Sequence, residues 1–206
     1  MPGPTLALDG LIIGKRPPTE SFQQHAVYTL AEGTVRVHQR IPKKPGASHV
    51  PLDLFDEAAF VLEGARDGGA TWFVKEVRLL HREPGLGRSY DALATASAIA
   101  TLVARNNVPE ESRESVYTLL KTVFATLASG GRPDVVYLKS LYCFARDEGY
   151  PLKQEWYPTL VADDRAAFAA VLNQPVADQT TPADTVDGLR TQLERYLRGH
   201  TDVLLD

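Results

Sequence analysis

The spacing of apolar residues along this 206-residue chain changes near residue 85. Up to about residue 82, β-branched and aromatic residues recur in short runs separated by glycine and proline, which is typical of β-strands. Strands are predicted over residues 8–15, 25–30, 34–41, 55–63 and 71–80, with a hairpin turn at Glu32-Gly33. No helical pattern in this part is long enough to connect parallel strands, so these five strands favour a small barrel.

From residue 89 onwards the apolar residues recur every three or four positions, which predicts helices. The predicted helices cover residues 89–105, 109–129, 133–148, 163–172 and 186–198, the last after a loop at 173–185. We therefore expect an α+β chain. Residues 1–82 form a small N-terminal β-barrel of the OB-fold kind, and residues 83–206 form an all-α helical domain.

The residue content excludes several classes of protein. Cys143 is the only cysteine, so an intramolecular disulfide and any zinc site with two thiolates are excluded. No apolar run is long enough to span a bilayer and no secretory leader is recognisable, so a cytoplasmic protein is expected. The sequence contains no known catalytic motif, and the five histidines lack metal-ligand spacing. We predict no enzymatic activity, metal site or cofactor.

The charge is unevenly distributed. The chain has a formal net charge of −4. Residues 1–82 carry ten Lys and Arg against nine Asp and Glu, whereas residues 83–206 carry twelve against seventeen. Residues 33–51 contain no acid at all, and they hold Arg36, Arg40, Lys43 and Lys44. Positive charge is thus concentrated locally on an otherwise acidic chain.

This basic stretch is the strongest candidate for a binding site. Strict alternation over residues 34–41 places Val35, Val37, Gln39 and Ile41 on one strand face, and Arg36, His38 and Arg40 on the other. Phosphate binding requires such clustered cations, with aromatic rings nearby for base stacking. The rings considered for this role are Phe22, Tyr28 and Trp72. Four further cations could extend the surface: Lys15, Arg16, Lys75 and Arg78. The alternative is that these charges only protect an exposed strand from aggregation.

The order of several segments resembles the bacterial recombination mediator family RecO. In the first half, the resemblance lies in residues 10–16, 19–21, 27–33, 40–45 and 52–56. In the second half, it lies in residues 116–120, 127–133, 141–151 and 189–206. Many RecO proteins carry a four-cysteine zinc module after the Gly-x-Pro stop, which here is Gly149-Tyr150-Pro151. Residues 150–187 contain no cysteine and look shortened, so no metal site is carried over.

The resemblance implies an OB-fold followed by a helical domain, and a role in DNA repair at the nucleoid. It implies binding of single- and double-stranded DNA, annealing of complementary strands, and help in loading RecA. The implied protein partners are RecR and the acidic tail of the single-stranded-DNA-binding protein. Candidates for holding that tail are Lys121, Arg132 and Lys139, for which ordinary helix-surface charge is the competing interpretation. A protein–protein adaptor with little DNA affinity is the alternative function, because the helical half is acidic.

Overall fold

The computed structural model describes residues 3–42, 50–65 and 71–205. Its N-terminal part contains five strands: β1 Thr5–Lys15, β2 Phe22–Thr29, β3 Gly33–Arg40, β4 Glu57–Gly64 and β5 Trp72–His81. All five predicted strands are confirmed, with ends that shift by up to three residues. The largest of these shifts are at the starts of β1 and β2, and the earlier start of β2 adds Phe22 to the sheet.

The five strands pair in the order β1-β2-β3-β5-β4, and β4 pairs back with β1, so the sheet closes into a barrel. Every pairing is antiparallel except that of β3 with β5, which is parallel. That parallel contact is short, joining Val37 to Trp72 and His38 to Phe73. Strand β1 contacts β4 through its first half and β2 through its second half. Gly10 lies at this change of partner, where a Cβ atom would come within 2.4 Å of Val27 Cγ1.

Alternation along the strands builds the core of the barrel. One side of strands β1 to β4 supplies the buried residues Ile12, Val27, Val35, Val37, Ala58, Phe60 and Leu62, and the segment before β4 adds Leu52. Removing this apolar surface from water is the main force that closes a small barrel. The opposite side of β3 faces outward and is exposed at Arg36 and Arg40. The predicted burial of Val35, Val37 and Gln39, with Arg36 and Arg40 exposed, is confirmed.

The chain divides into two units, and a segment beyond the strands joins the first. Met1–Glu83 and Pro109–Tyr117 form the first unit, and Pro84–Val108 and Thr118–Asp206 form the second. In the first unit, the Tyr28 hydroxyl donates to the Arg113 carbonyl at 3.3 Å. The Tyr117 hydroxyl donates to Glu57 Oε1 at 2.9 Å. The observed division therefore differs from a single boundary at residues 82/83 by including residues 109–117 with the strands.

The rest of the chain is helical. The helices are α1 Tyr90–Arg105, α2 Arg113–Ala128, α3 Pro133–Asp147, α4 Ala162–Asn173 and α5 Ala183–His200. The predicted stops are confirmed at Gly130 and Gly149, where both φ angles are +90°. In the second unit the Phe168 ring lies edge-on to Trp156 at 4.8 Å and to Tyr142 at 5.1 Å, and all three side chains are buried. Among the helices described, none has the length and apolarity needed to cross a membrane.

Two helix boundaries differ from the sequence-based expectation. A single 3-10 turn, Glu110–Ser112, precedes α2, so the regular helix begins at Arg113 rather than near Pro109. Helix α5 begins three residues earlier than expected, because Pro182 serves as its N-cap and allows the helical turn to start at Ala183.

Candidate nucleic-acid interface

The outer side of β3 carries the predicted basic residues. Arg36 and Arg40 are exposed and His38 is partly exposed, while the intervening residues point into the core. Successive residues on one face of a strand are about 6.7 Å apart, so the two arginines lie about 13 Å apart along the strand with His38 between them. The alternation predicted from the sequence therefore sets the spacing of this row of side chains.

Strand β2 adds an aromatic and an amide side chain beside that row. Its register pairs Phe22 with Arg40, Gln24 with His38 and Ala26 with Arg36. Directly opposed residues in an antiparallel pair point to the same side of the sheet. Because the partners on β3 point outward, Phe22 and Gln24 also face outward, and Phe22 is the cross-strand partner of Arg40.

The neighbouring strands complete the surface on both sides. The backbone N–H of Arg16 donates to the Gln24 carbonyl at 3.1 Å, which extends the β1–β2 register by one residue past the end of β1. On the other side, His38 is the parallel partner of Phe73 on β5. A row running across the barrel is thus formed by Arg16, Gln24, His38 and Phe73.

Three rings on this outer surface contact one another. The Phe22 and Phe73 centroids are 5.6 Å apart, and the His38 centroid lies 6.2 Å from Phe22 and 5.7 Å from Phe73. The three side chains are partly exposed. We refer to Arg16, Phe22, Arg36, His38, Arg40 and Phe73 as the aromatic–arginine face.

The three arginines of this face have no acidic partner among residues 3–42, 50–65 and 71–205. Carboxylates lie at its border, and one of them, Glu76, lines a groove together with Arg40. Glu63 on β4 is the cross-strand partner of Phe73, and its Oε1 accepts from the Gly3 N–H at 3.4 Å. Glu20 lies in the connection between β1 and β2 and is exposed. The charge of Arg16, Arg36 and Arg40 is therefore available to an anionic ligand.

Lys15 lies outside the aromatic–arginine face. Its ammonium group contacts Asp53 Oδ1 at 3.0 Å and donates to the Leu52 carbonyl at 3.3 Å. Partial burial acts to raise the pKa of Asp53, but the hydrogen bond from Lys15 and other contacts outweigh it and lower the pKa. Lys15 thus holds the segment before β4 against the end of β1.

Arg78 lies in a different part of the barrel surface from Arg36 and Arg40. It lines a groove of about 580 Å³ formed by β1, β4 and β5, together with Asp9 and Glu76. It follows Phe73 by five residues, or about 17 Å along the strand. Arg78 consequently faces a mixed-charge surface rather than the aromatic–arginine face.

Lys75 lies between these two surfaces. It is exposed at an irregularity in the β4–β5 pairing, where the register shifts between Val61 and Leu62. It lines a groove of about 460 Å³ together with Arg40 and Glu76. Lys75 is thus near one end of the aromatic–arginine face, but it shares its surroundings with an acid. The predicted contacts Lys43 and Lys44 lie outside the described residues.

The cations predicted to hold a partner's tail have structural contacts in the second unit. Arg132 contacts Asp134 at 2.5 Å and donates to the Thr181 carbonyl at 2.7 Å. Lys139 donates to the Gln174 carbonyl at 2.8 Å, and burial lowers its pKa. Both side chains therefore support the chain between α4 and α5, whereas Lys121 is exposed on α2.

The aromatic platform differs from the one expected from the sequence. Tyr28 is fully buried and its hydroxyl donates to a backbone carbonyl, while Trp72 packs against the barrel core. Of the three rings expected from the sequence, only Phe22 lies on the outer surface, where its ring contacts those of Phe73 and His38. Phe73 was missed although its neighbour Trp72 was named, because the pairing with β3 places Phe73 beside the outward His38 and Trp72 beside the inward Val37. The parallel β3–β5 pairing that brings it next to His38 has no signature in the sequence.

Two polar groups inside the barrel bear on stability rather than on binding. Asp56 is almost completely buried and receives two hydrogen bonds from the Arg82 guanidinium, at 2.6 and 2.7 Å. His25 is also buried, and neither ring nitrogen has a hydrogen-bond partner within the described chain. Burial is the main cause of a lowered pKa for His25; the nearby Gln39 side chain offsets part of this shift.

The described residues contain no group of three or more His, Cys, Asp or Glu that could hold a metal ion. Burial raises the pKa of the Cys143 thiol, which disfavours the reactive thiolate. What the first unit does contain is a cationic surface with partly exposed rings, held on strands.

In comparison with known proteins, no family model matches this chain, and no curated protein matches its sequence.

Proposed function

We propose that the barrel is an OB-fold that binds DNA through the aromatic–arginine face, and that the chain is a RecO-like recombination mediator. The strand order β1-β2-β3-β5-β4 in a five-stranded barrel supports the OB-fold assignment. OB-folds bind oligonucleotides on the face of strands 2 and 3 and on the loops at its edges. The aromatic–arginine face has this location, with Phe22 on β2 and Arg36, His38 and Arg40 on β3.

A single observation carries the proposal: three arginines lie on one barrel face without acidic partners in the described chain, around three partly exposed rings. Guanidinium groups bind phosphate with two parallel hydrogen bonds, and aromatic rings stack on bases. Because the whole chain has a net charge of −4, a polyanion would be repelled over much of the surface. Binding would therefore be confined to this face.

Strand annealing by such a surface needs no catalytic group. Cations on the protein lower the repulsion between two phosphate backbones and release bound counterions. Contacts to phosphate leave the base edges available for pairing. In this proposal, the barrel brings complementary single strands together, and the chain assists RecA loading with RecR and the single-stranded-DNA-binding protein at the nucleoid. Lys121 is the predicted tail contact that remains exposed.

The test is a fluorescence anisotropy titration with labelled single-stranded DNA at several salt concentrations, combined with an annealing assay on complementary labelled strands. If all three arginines contact phosphate, the slope of log K against log salt is about −2. Addition of the protein should also accelerate annealing at low salt. Absent binding, or binding that does not depend on salt, would contradict the proposal.

A protein–protein adaptor is the second candidate. It is favoured by the acidic helical half, where residues 83–206 carry seventeen Asp and Glu against twelve Lys and Arg. It is favoured also by the ion pair that already engages Lys15, one of the predicted DNA contacts. In the same titration an adaptor shows no binding to DNA at low salt. In a separate binding assay it still binds immobilised RecR or a peptide with the tail sequence of the single-stranded-DNA-binding protein.

A further inference from the structure

The outer ring cluster is not required by the barrel core. The core has its own apolar side chains, including the buried Phe60, and they point to the other side of the sheet. Phe22, His38 and Phe73 instead contact one another on the solvent side, with centroid separations of 5.6 to 6.2 Å. Outward strand positions are ordinarily polar, so a cluster of rings there is unusual for a sheet face that is open to solvent.

Charge and rings are interleaved on this surface. Phe22 lies directly opposite Arg40, and His38 lies between Arg36 and Arg40 on the same side of β3. Arg16 lies at the other end of the row that reaches Phe73. A ligand that contacts the rings is therefore within reach of guanidinium groups on more than one side.

We propose that the aromatic–arginine face selects unpaired strands over duplexes, by stacking bases on Phe22 and Phe73 while arginines contact the phosphates. The inference rests on the proposed DNA binding and specifies its substrate. In a duplex each base face is covered by the neighbouring base pairs, so only an unpaired strand offers base faces to the protein. Phosphates are available in both forms.

The opposite preference is expected if the rings play no part. A duplex carries one negative charge per about 1.7 Å of axis, which is denser than a single strand. A surface that acts by charge alone therefore binds duplex at least as tightly as single strand. Preference for the single strand is thus evidence for stacking. This preference would also favour release of the annealed duplex, because bases that have paired no longer stack on the rings.

The experiment compares a labelled single strand of about 20 nucleotides with a duplex of the same length, by anisotropy under identical salt. The native chain should bind the single strand more tightly. The substitutions Phe22→Leu and Phe73→Leu, which keep an apolar side chain, should each lower single-strand affinity roughly tenfold and duplex affinity less than about twofold. Phe22→Tyr keeps the ring and should retain the selectivity.

Tyr90→Leu is the matched control, because Tyr90 is 84% exposed at the start of α1 in the second unit. It should leave both affinities unchanged. Equal losses on both substrates, or no loss in either Leu variant, would overturn the stacking inference while the proposed DNA binding stands. Native protein that binds neither substrate would overturn the inference and the proposed function together.

Discussion

Two outer surfaces of the same barrel carry arginines but differ in what surrounds them. On β3, Arg36 and Arg40 are exposed beside rings and have no acidic partner within the described residues. On the β1–β4–β5 side, Arg78 shares a groove with two acids, Asp9 and Glu76, whereas the groove beside Arg40 holds one acid, Glu76, and a second cation, Lys75. A simple count of Lys and Arg along the chain assigns both surfaces to one basic site. The difference teaches that neighbouring acids and rings, rather than the number of cations, decide which surface attracts a polyanion.

Charge reversal should separate the two surfaces most strongly. The double substitution Arg36→Glu and Arg40→Glu replaces attraction to phosphate by repulsion, and we expect single-strand affinity to fall about 100-fold, or roughly 3 kcal/mol. Arg78→Glu changes the same type of residue on the other surface and should change affinity less than about twofold. Anisotropy at low salt measures both. Similar losses for the two variants would remove the distinction between the surfaces.

Arg82, which has an acidic partner, should behave differently from Arg36 and Arg40, which have none within the described residues. Arg82→Gln removes the partner of the buried Asp56 carboxylate, and we expect a loss of about 3 kcal/mol in the free energy of unfolding. Arg36→Gln, which breaks no described contact, should stay within about 0.5 kcal/mol. Urea unfolding measures both changes. An Arg82→Gln variant as stable as the native chain would show that Asp56 does not depend on this guanidinium.

The buried His25 provides a comparison between the interior of the barrel and its outer surface. Because the pKa of His25 is lower in the folded chain than in the unfolded chain, the unfolded chain binds a proton at a higher pH than the folded chain does. Stability should therefore be lost as the pH falls below about 6.5, by up to about 1.4 kcal/mol per pH unit. We expect His25→Gln to flatten this acid-side loss in urea unfolding, and Phe22→Leu on the outer surface to leave it in place. An unchanged acid-side slope in His25→Gln would contradict the assignment.

The smallest effect is expected at Lys15. Its ion pair with Asp53 is partly exposed to solvent, so Lys15→Gln should cost about 0.5 kcal/mol in urea unfolding. Because Asp53 already neutralises this ammonium group, single-strand affinity should change less than about twofold. A large loss of affinity would instead extend the DNA-binding surface to the Asp53 side of β1.

Much of the barrel could be predicted because alternation is a local property. Residues 34–41 specify which side of β3 is buried, and the structure confirms it. The same residues gave the positions of Arg36, His38 and Arg40. Helix stops at Gly130 and Gly149 were likewise predictable, since a positive φ angle favours glycine.

The remainder of the site depends on non-local pairing. The parallel contact between β3 and β5 places Phe73 beside His38, although they are 35 residues apart in the chain. The irregularity in the β4–β5 pairing exposes Lys75, Glu76 and Arg78 together, which simple alternation along β5 does not predict. The contact between Lys15 and Asp53 also joins distant residues. None of these relations is encoded in a short sequence window.

The central claim is that Arg16, Arg36 and Arg40 act together on phosphate. It is tested most directly by the salt dependence of single-strand binding for the native chain and for the Arg36→Gln/Arg40→Gln variant. The account predicts a slope of log K against log salt of about −2 for the native chain and about −0.7 for the variant. An identical slope for the two proteins would contradict it.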